Sequence, residues 1–90
     1  MQVTAESGIL NYARDRWISL QVDAKLLLDF DILSINYDVE TVNGTVYLLG
    51  IAQSEDELKR VEEHASSIGG VKGVVSHVVM KDDPRRPARP

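Results

Sequence analysis

The stretch TVNGTVYLLG, residues 41–50, consists of two short apolar runs on either side of Asn43-Gly44. Asn-Gly is the strongest short-range signal of a β-hairpin, because both residues of the two-residue turn must adopt positive φ. Such a turn places Val42 opposite Thr45 and sets the register of the strands. The predicted pairs are Val39 with Leu48 and Thr41 with Val46 on the inner face, and Glu40 with Tyr47 and Asp38 with Leu49 on the outer face. The hairpin therefore has an apolar inner face and a mixed outer face.

The first strand of this hairpin takes in residues 35–42, in which apolar and polar residues alternate. Ile35, Tyr37, Val39 and Thr41 share one face, which is typical of a half-buried strand. The second strand is predicted to end at Gly50, a residue that weakens strand interiors.

A helix and a third strand follow the hairpin. Ser54 and Glu57 have the spacing of a capping box, with Ser54 as the N-cap. One apolar stripe marks the helix, and Gly69-Gly70 ends it; the stripe consists of Leu58, Val61, Ala65 and Ile68. Residues 71–80 are rich in Val and predict a strand, whose inner pair is either Val74 with Val78 or Val75 with Val79. A strand-helix-strand unit predicts a right-handed crossover within one sheet.

Upstream of the hairpin, residues 15–29 predict a helix with Asp15 as its N-cap. Projected at about 100° per residue, Ile18, Val22 and Leu26 line one face. A second apolar stripe lies nearly opposite and contains Trp17, Leu20, Ala24, Leu27 and Leu28. A surface helix of a small domain needs only one apolar stripe to bury. The second stripe is therefore the most informative feature of the sequence.

The order of these elements predicts an α+β fold, α-β-β-α-β, with a three-stranded mixed sheet and both helices packed on one face. Residues 1–12 show no periodicity and are typical of a linker or a frayed terminus. We expect a linker or flexible segment at residues 1–13, one domain at residues 14–81, and a disordered Pro/Arg tail at residues 82–90.

The composition of the 90 residues excludes several classes of function. The chain has ten Lys and Arg and fourteen Asp and Glu, and this net negative charge argues against a nucleic-acid-binding module. The chain contains no Cys, so disulfides and Cys-ligated zinc are excluded. No apolar run approaches membrane-spanning length, and no signal peptide is visible. We expect either a cytoplasmic protein or a piece of an exported one.

The titratable residues show no catalytic or metal-binding pattern. No spacing links His64 or His77 to carboxylates as metal ligands, so both are expected to be ordinary. The GVKG run at residues 70–73 fits the GxxG loop of nucleic-acid-binding KH domains, but here it joins a helix to a strand. Asp29 and Asp31 could hold a cation, although they form no recognisable cation motif. We therefore expect a non-enzyme without cofactor or metal.

Three motifs together resemble the BON domain family: DRWI at residues 15–18, NGTVYLLG at residues 43–50 and GVKGV at residues 70–74. The resemblance covers residues 14–81 and is closest to the second of two tandem BON domains in exported bacterial lipoproteins. It implies a non-enzymatic module of the periplasm or outer membrane, in some cases osmotically induced, that binds phospholipid or envelope partners. It also implies that residues 1–13 link this domain to a preceding one. A cytoplasmic location is expected instead if the 90 residues are the complete native chain.

On the first hypothesis, the second stripe of the first helix binds a phospholipid surface, with anionic lipid suspected. Trp17 is the expected anchor, because an indole suits the membrane interface, and the neighbouring cations would meet anionic headgroups. The predicted lipid-binding residues are Arg14, Arg16, Trp17, Leu20, Ala24, Lys25, Leu27 and Leu28. The alternative is that Ile9, Leu10 and Tyr12, or a further domain, cover this stripe.

On the second hypothesis, the chain is a periplasmic protein-interaction module that binds an envelope partner or a second copy of itself. It would use the same helix or the outer face of the sheet, where Tyr47 and Leu49 lie. The alternative for that face is ordinary cross-strand packing on a solvated surface. A third and weaker hypothesis is a small-ion-binding domain at Asp29 and Asp31.

Overall fold

The hairpin of the computed structural model has the register that its turn predicts. The structure describes residues 5–83, with side chains from Gly8 onward. Its elements are α1 (Ala5–Leu28), a 3₁₀ turn (Ser34–Asn36), β1 (Tyr37–Val42), β2 (Thr45–Ala52), α2 (Glu55–Ser66) and β3 (Gly73–Met80). This is the predicted α+β fold in the order α-β-β-α-β. Residues 1–4 of the predicted linker (1–13) and residues 84–90 of the predicted tail (82–90) lie outside the described residues.

The sheet has the strand order β1-β2-β3, with β1 antiparallel and β3 parallel to the central β2. Every predicted hairpin pair is confirmed, from Asp38 opposite Leu49 to Val42 opposite Thr45. The turn residues Asn43 and Gly44 have φ of 50° and 85°, as a tight hairpin turn requires.

Both helices pack on one face of this sheet. The buried core joins one stripe of α1 to one stripe of α2 and to the inner faces of β1 and β2; it includes Ile18, Val22, Leu26, Val39, Val46, Leu48, Val61, Ala65 and Ile68. In β3, Val74 and Val78 pack against this core, whereas Val75 faces away and is more than a third exposed. Of the two inner pairs that the sequence allowed for the third strand, the structure therefore has Val74 with Val78.

The start of α1 differs from the prediction. The helix begins at Ala5 rather than at Asp15, so the prediction of Asp15 as an N-cap was wrong. The residues before Asp15 include Ala13 and Arg14, which favour helix, and no proline interrupts them. Residues 5–13 are therefore helical, and their role as a linker to another domain stays a prediction.

The connection into β1 and the length of β2 also differ from the prediction. Residues Ser34–Asn36 form a 3₁₀ turn, so Ile35 is not in the strand and is 86% exposed. Gly50 does not end β2, which continues to Ala52. The carbonyl oxygen of Asn36 lies where a side chain of residue 50 would be, since a Cβ built there would be 2.0 Å from it. Only glycine permits the chain to cross so closely.

Candidate functional site

Helix α1 has one buried face and one exposed face. Ile18, Val22 and Leu26 are at most 2% exposed and pack on the sheet, as predicted. On the opposite side, Trp17 is 62% exposed, Leu20 51%, Leu27 68% and Leu28 75%. Ala24 is also exposed. The second stripe predicted from the sequence therefore remains uncovered by the described part of the chain.

The first turns of α1 lengthen this stripe. Ile9, Leu10 and Tyr12 do not fold back over the helix, as one alternative required, because they belong to α1 and are each more than half exposed. At about 100° per residue, Ile9, Leu10 and Ala13 fall on the same side as Trp17. We define the outer stripe as Ile9, Leu10, Ala13, Trp17, Leu20, Ala24, Leu27 and Leu28. It follows α1 for about 28 Å at a rise of about 1.5 Å per residue.

The predicted cationic residues lie along the two borders of the outer stripe. Arg14, Arg16 and Lys25 are all exposed. Helical geometry places Arg14 and Lys25 on one border and Arg16 on the other. Asp23 shares the border of Arg16, and its pKa is raised by burial and by the nearby Asp38 carboxylate, against the lowering effect of Arg16. The structure therefore divides these cations between two sides instead of gathering them into one patch.

Asp15 fixes α1 to the hairpin turn. The backbone N–H of Asn43 donates to Asp15 Oδ2 at 2.8 Å, and the N–H of Gly44 donates to Oδ1 at 3.0 Å. Because both turn amides are free of strand pairing, one carboxylate can satisfy the two together. The Asp of the DRWI motif thus holds the NG motif, while Ile18 of the same motif enters the core.

An open cleft of about 530 Å³ lies beside this contact, lined by Asn11, Arg14, Asp15, Asn43, Gly44, Gly70 and Lys72. The backbone N–H of Lys72 donates to the Gly44 carbonyl at 2.8 Å, which brings Lys72 to the hairpin turn. Two cationic side chains, of Arg14 and Lys72, therefore border the cleft, and its one acid, Asp15, already accepts two hydrogen bonds.

The outer face of the sheet carries the second predicted interface. Tyr47 is half-buried and Leu49 is 40% exposed. The register places Val75 and Val79 of β3 on the same face as Leu49, next to Ile51 of β2. Since both helices pack on the inner face, no described element covers this outer face.

Glu57 is a buried hydrogen-bond centre that the sequence only partly indicated. Its backbone N–H donates to Ser54 Oγ at 3.1 Å, which confirms half of the capping box. Its carboxylate, in a residue 5% exposed, accepts from Tyr37 Oη, from Gln53 N and from Leu33 N. Burial alone would raise the Glu57 pKa, but these three hydrogen bonds outweigh it and lower the pKa. The pKa of Tyr37 is raised by burial and by the same contact.

Asp29 joins the end of α1 to α2. Its carboxylate accepts from Arg60 Nη2 and contacts His64 Nε2, each at 2.7 Å. The hydrogen bond from Arg60, followed by that from His64, holds the Asp29 pKa well below its usual range. Sequence spacing did not link His64 to a carboxylate, because the two residues are 35 positions apart.

This arrangement leaves little capacity for a cation at Asp29 and Asp31. One carboxylate is engaged by Arg60 and His64, and Arg60 also lies 3.6 Å from Asp31. Within residues 5–83 no three His, Cys, Asp or Glu side chains are grouped as metal ligands. Among the helices in that range, none has the length and apolarity to cross a membrane.

The sequence of this chain matches one family model and several known proteins. The model of the BON domain family matches residues 14–82. An uncharacterised protein from the gshII 5′ region of Anaplasma centrale is 43% identical over 76 residues, which cover 84% of this chain and 50% of that protein. Osmotically-inducible protein Y of Escherichia coli K12 is 34% identical over 84% of this chain and 38% of its own length.

A further relative is the outer membrane lipoprotein DolP of Haemophilus influenzae, which is 28% identical over 83% of this chain and 38% of its own length. The chain thus spans half or less of the length of each of these curated relatives. Their similarity therefore concerns one module of longer proteins.

Proposed function

Since this chain belongs to the BON domain family, we propose that it is a non-catalytic, phospholipid-binding module of a bacterial cell-envelope protein. One relative supports the envelope setting, because its name describes an outer membrane lipoprotein. The name of another describes an osmotically inducible protein, which supports a role in osmotic stress. The proposed location is the periplasm or the periplasmic surface of the outer membrane, as part of an exported parent. The proposed membrane-binding surface is the outer stripe of α1.

The observation that carries the proposal is the exposure of Trp17 in the middle of an uncovered apolar stripe. A helix with one apolar face toward solvent can lie in the plane of a bilayer with that face among the acyl chains. An indole is suited to the boundary, because its ring is apolar while its N–H stays hydrated. At about 25 cal/mol per Å², each half-exposed Leu or Trp contributes on the order of 1 kcal/mol on insertion.

Charge plays the smaller part in the proposed contact. Arg14, Arg16 and Lys25 border the stripe, and a cation beside an anionic surface contributes about 1 kcal/mol. Asp23 lies on the same side as Arg16, and the net charge of the chain is −4. Insertion of apolar side chains therefore has to supply most of the affinity, and anionic lipid adds a salt-sensitive share.

Vesicle binding tests the proposal through the single Trp of the chain. Titration with vesicles containing anionic lipid is expected to shift Trp17 emission to the blue and to sediment the protein with the vesicles. Trp17→Ala is expected to lower the partition coefficient about tenfold, which corresponds to about 1.4 kcal/mol. Ile35→Ala is the matched control, because Ile35 is 86% exposed but belongs to the 3₁₀ turn and not to the outer stripe.

Absence of both the emission shift and co-sedimentation, on vesicles with and without anionic lipid, would reject lipid binding. Equal binding of the Trp17→Ala and wild-type chains would support lipid binding but would reject Trp17 as the anchor.

The uncovered outer face of the sheet favours a second candidate function, docking of an envelope protein. Tyr47 and Leu49 would contribute to that interface together with Val75. Leu49→Asp separates the two candidates, because it should abolish protein docking and leave vesicle binding unchanged. The small-ion hypothesis has the least support, because Arg60 and His64 already occupy Asp29.

A further inference from the structure

The outer stripe has a spacing that simple exposure to lipid does not require. Six of its members follow one another at alternating intervals of three and four residues: Leu10, Ala13, Trp17, Leu20, Ala24 and Leu27. This alternation is the a/d pattern of a heptad repeat, with an average period of 3.5 residues. A helix that lies on a membrane needs only a broad apolar face. The six residues form a seam of the same angular width as the outer stripe, and their 3-4 alternation also provides the a and d positions through which one helix packs lengthwise on another.

The position of this seam leaves room for a second helix. In a projection at about 100° per residue, the seam lies nearly opposite Val22, which is fully buried against the sheet. A partner helix on the seam is therefore kept away from the sheet by the full diameter of α1. Glycine and proline are absent from residues 9–28, so the seam runs along an uninterrupted helix.

We propose that two copies of this chain pair through α1, with the two helices antiparallel along the outer stripe. In an antiparallel pair, each a position lies beside a d position of the other helix. The central layers then place Trp17 against Leu20 of the second copy. The next layers place Ala13 against Ala24, where small side chains let the helices approach closely. Leu10 against Leu27 completes the seam at each end.

The charged borders of the seam select this orientation. Arg16 and Asp23 occupy equivalent flanking positions, one heptad apart. In the antiparallel register Arg16 of each copy lies beside Asp23 of the other, so two opposite-charge pairs form at once. In a parallel register Arg16 would lie beside Gln21 and Asp23 beside Leu28, and neither pair would form.

The antiparallel pairing would also stabilise the ionised form of Asp23. Partial burial and the Asp38 and Glu40 carboxylates of β1 raise the pKa of Asp23, against the lowering effect of Arg16 on the same helix. A second arginine, supplied by the other copy, offsets this repulsion.

This inference goes beyond the proposed function and does not rest on it, because an α1 pair in water needs no lipid. Where both hold, the pair and the membrane compete for the same side chains. Sedimentation in the absence of lipid tests the pair, and vesicle binding tests the membrane contact. Failure of one experiment therefore leaves the other informative.

Sedimentation velocity of the 90-residue chain across about 1 µM to 1 mM, without lipid, is expected to show a monomer–dimer equilibrium. Arg16→Asp and Asp23→Arg each replace two attractions with two repulsions and should raise the dimer dissociation constant at least tenfold. The double variant Arg16→Asp/Asp23→Arg restores opposite charges and should return the constant to near the wild-type value. Both side chains are exposed, so circular dichroism should show an unchanged fold.

Single-cysteine variants test the register, since the chain has no cysteine of its own. A mixture of Ala13→Cys and Ala24→Cys chains should form a 13–24 disulfide under mild oxidation, identified by mass spectrometry. Neither variant alone should cross-link efficiently. A monomer at every concentration would overturn the proposal. A dimer that is insensitive to charge reversal, or that cross-links 13 to 13, would equally overturn it.

Discussion

Two acidic residues show how much one side chain does in this small domain. Asp15 accepts from two turn amides that are 28 and 29 positions away, and Glu57 accepts from Leu33, 24 positions away. The sequence predicted both as helix-capping residues. Capping rules reach only three or four positions along the chain, so they do not predict contacts between distant segments. The half of the capping box made by Ser54 was therefore predictable, whereas the long-range contacts were not. Each carboxylate accepts hydrogen bonds from backbone N–H groups that lie outside the regular helix and strand pairing.

Asp15→Ala should destabilise the domain, because it removes two charge-assisted hydrogen bonds and leaves the Asn43 and Gly44 amides unpaired. We expect the free energy of unfolding to fall by about 1–3 kcal/mol. Asp15→Asn keeps one acceptor oxygen and should cost about half as much. Urea denaturation measures both, with Asp31→Ala as the control, since the Asp31 side chain is 78% exposed. Equal stability of Asp15→Ala and wild type would contradict the role of this contact.

At the scale of elements, short-range patterns were the most reliable. The hairpin register, the order of elements and the buried stripe of α1 follow from the turn and from periodicity, and all are confirmed. The start of α1 was missed because residues 5–14 carry no strong apolar period of their own on the buried face. Gly50 was expected to end β2 but lies inside the strand. A glycine is needed there because the Asn36 carbonyl passes close to it, and strand patterns do not encode such a contact between segments.

Gly50→Ala and Gly8→Ala should act in opposite directions. Gly50 has a φ of 138°, and its Cβ would lie 2.0 Å from the Asn36 carbonyl oxygen, so strong destabilisation or loss of folding is expected. Gly8 lies within α1, and a Cβ there would meet no described atom within 4 Å. Alanine at that position should stabilise the helix by about 0.5–1 kcal/mol.

Thermal melting of the two glycine variants measures both effects on the same fold. A Gly50→Ala chain that melts with the wild type would show that β1 and β2 can separate locally without cost. A Gly8→Ala chain without any gain would show that the first turns of α1 are not helical in solution.

At the scale of the whole molecule, three carboxylates set the response to acid. The pKa values of Asp29 and Glu57 are lowered in the folded state. Both groups therefore contribute stability above their unfolded values of 3.8 and 4.5, and this stability is lost as the pH falls through the folded values. The pKa of Asp23 is raised, so its ionised form opposes folding and its protonation is favourable.

The melting temperature is accordingly expected to fall below about pH 4.5, because Glu57 and then Asp29 take up protons in the unfolded chain at a higher pH than in the folded one. Glu57→Gln should lower stability at pH 7 and flatten the acid decline. Asp23→Asn should raise stability at pH 7 and have little effect at pH 3. Melting curves at pH 7, 5 and 3 measure these differences, with Glu63→Gln as an exposed control on the same helix. An acid decline unchanged by Glu57→Gln would exclude Glu57 as its source.

The candidate site was predictable in outline and not in extent. A surface helix needs only one apolar stripe, so the second stripe of α1 predicted an exposed surface around Trp17. The exposure of Trp17 and its neighbours in the structure agrees with that prediction. The sequence did not show that Ile9 and Leu10 extend the stripe, because that depends on α1 starting at Ala5. The division of Arg14 and Arg16 between two borders likewise follows from the orientation of α1 on the sheet.

The clamp between Asp15 and the hairpin turn also reports on the attachment of α1. The Asn43 and Gly44 amides lie at the tip of a turn, where hydrogen exchange with solvent would otherwise be fast. Their only described acceptor is a carboxylate carried by α1. Slowed exchange at these two positions therefore measures the free energy of lifting α1 from the sheet, separately from that of opening the hairpin. A bilayer that pulls α1 away would release both amides at once, and a bilayer that binds it in place would leave them protected.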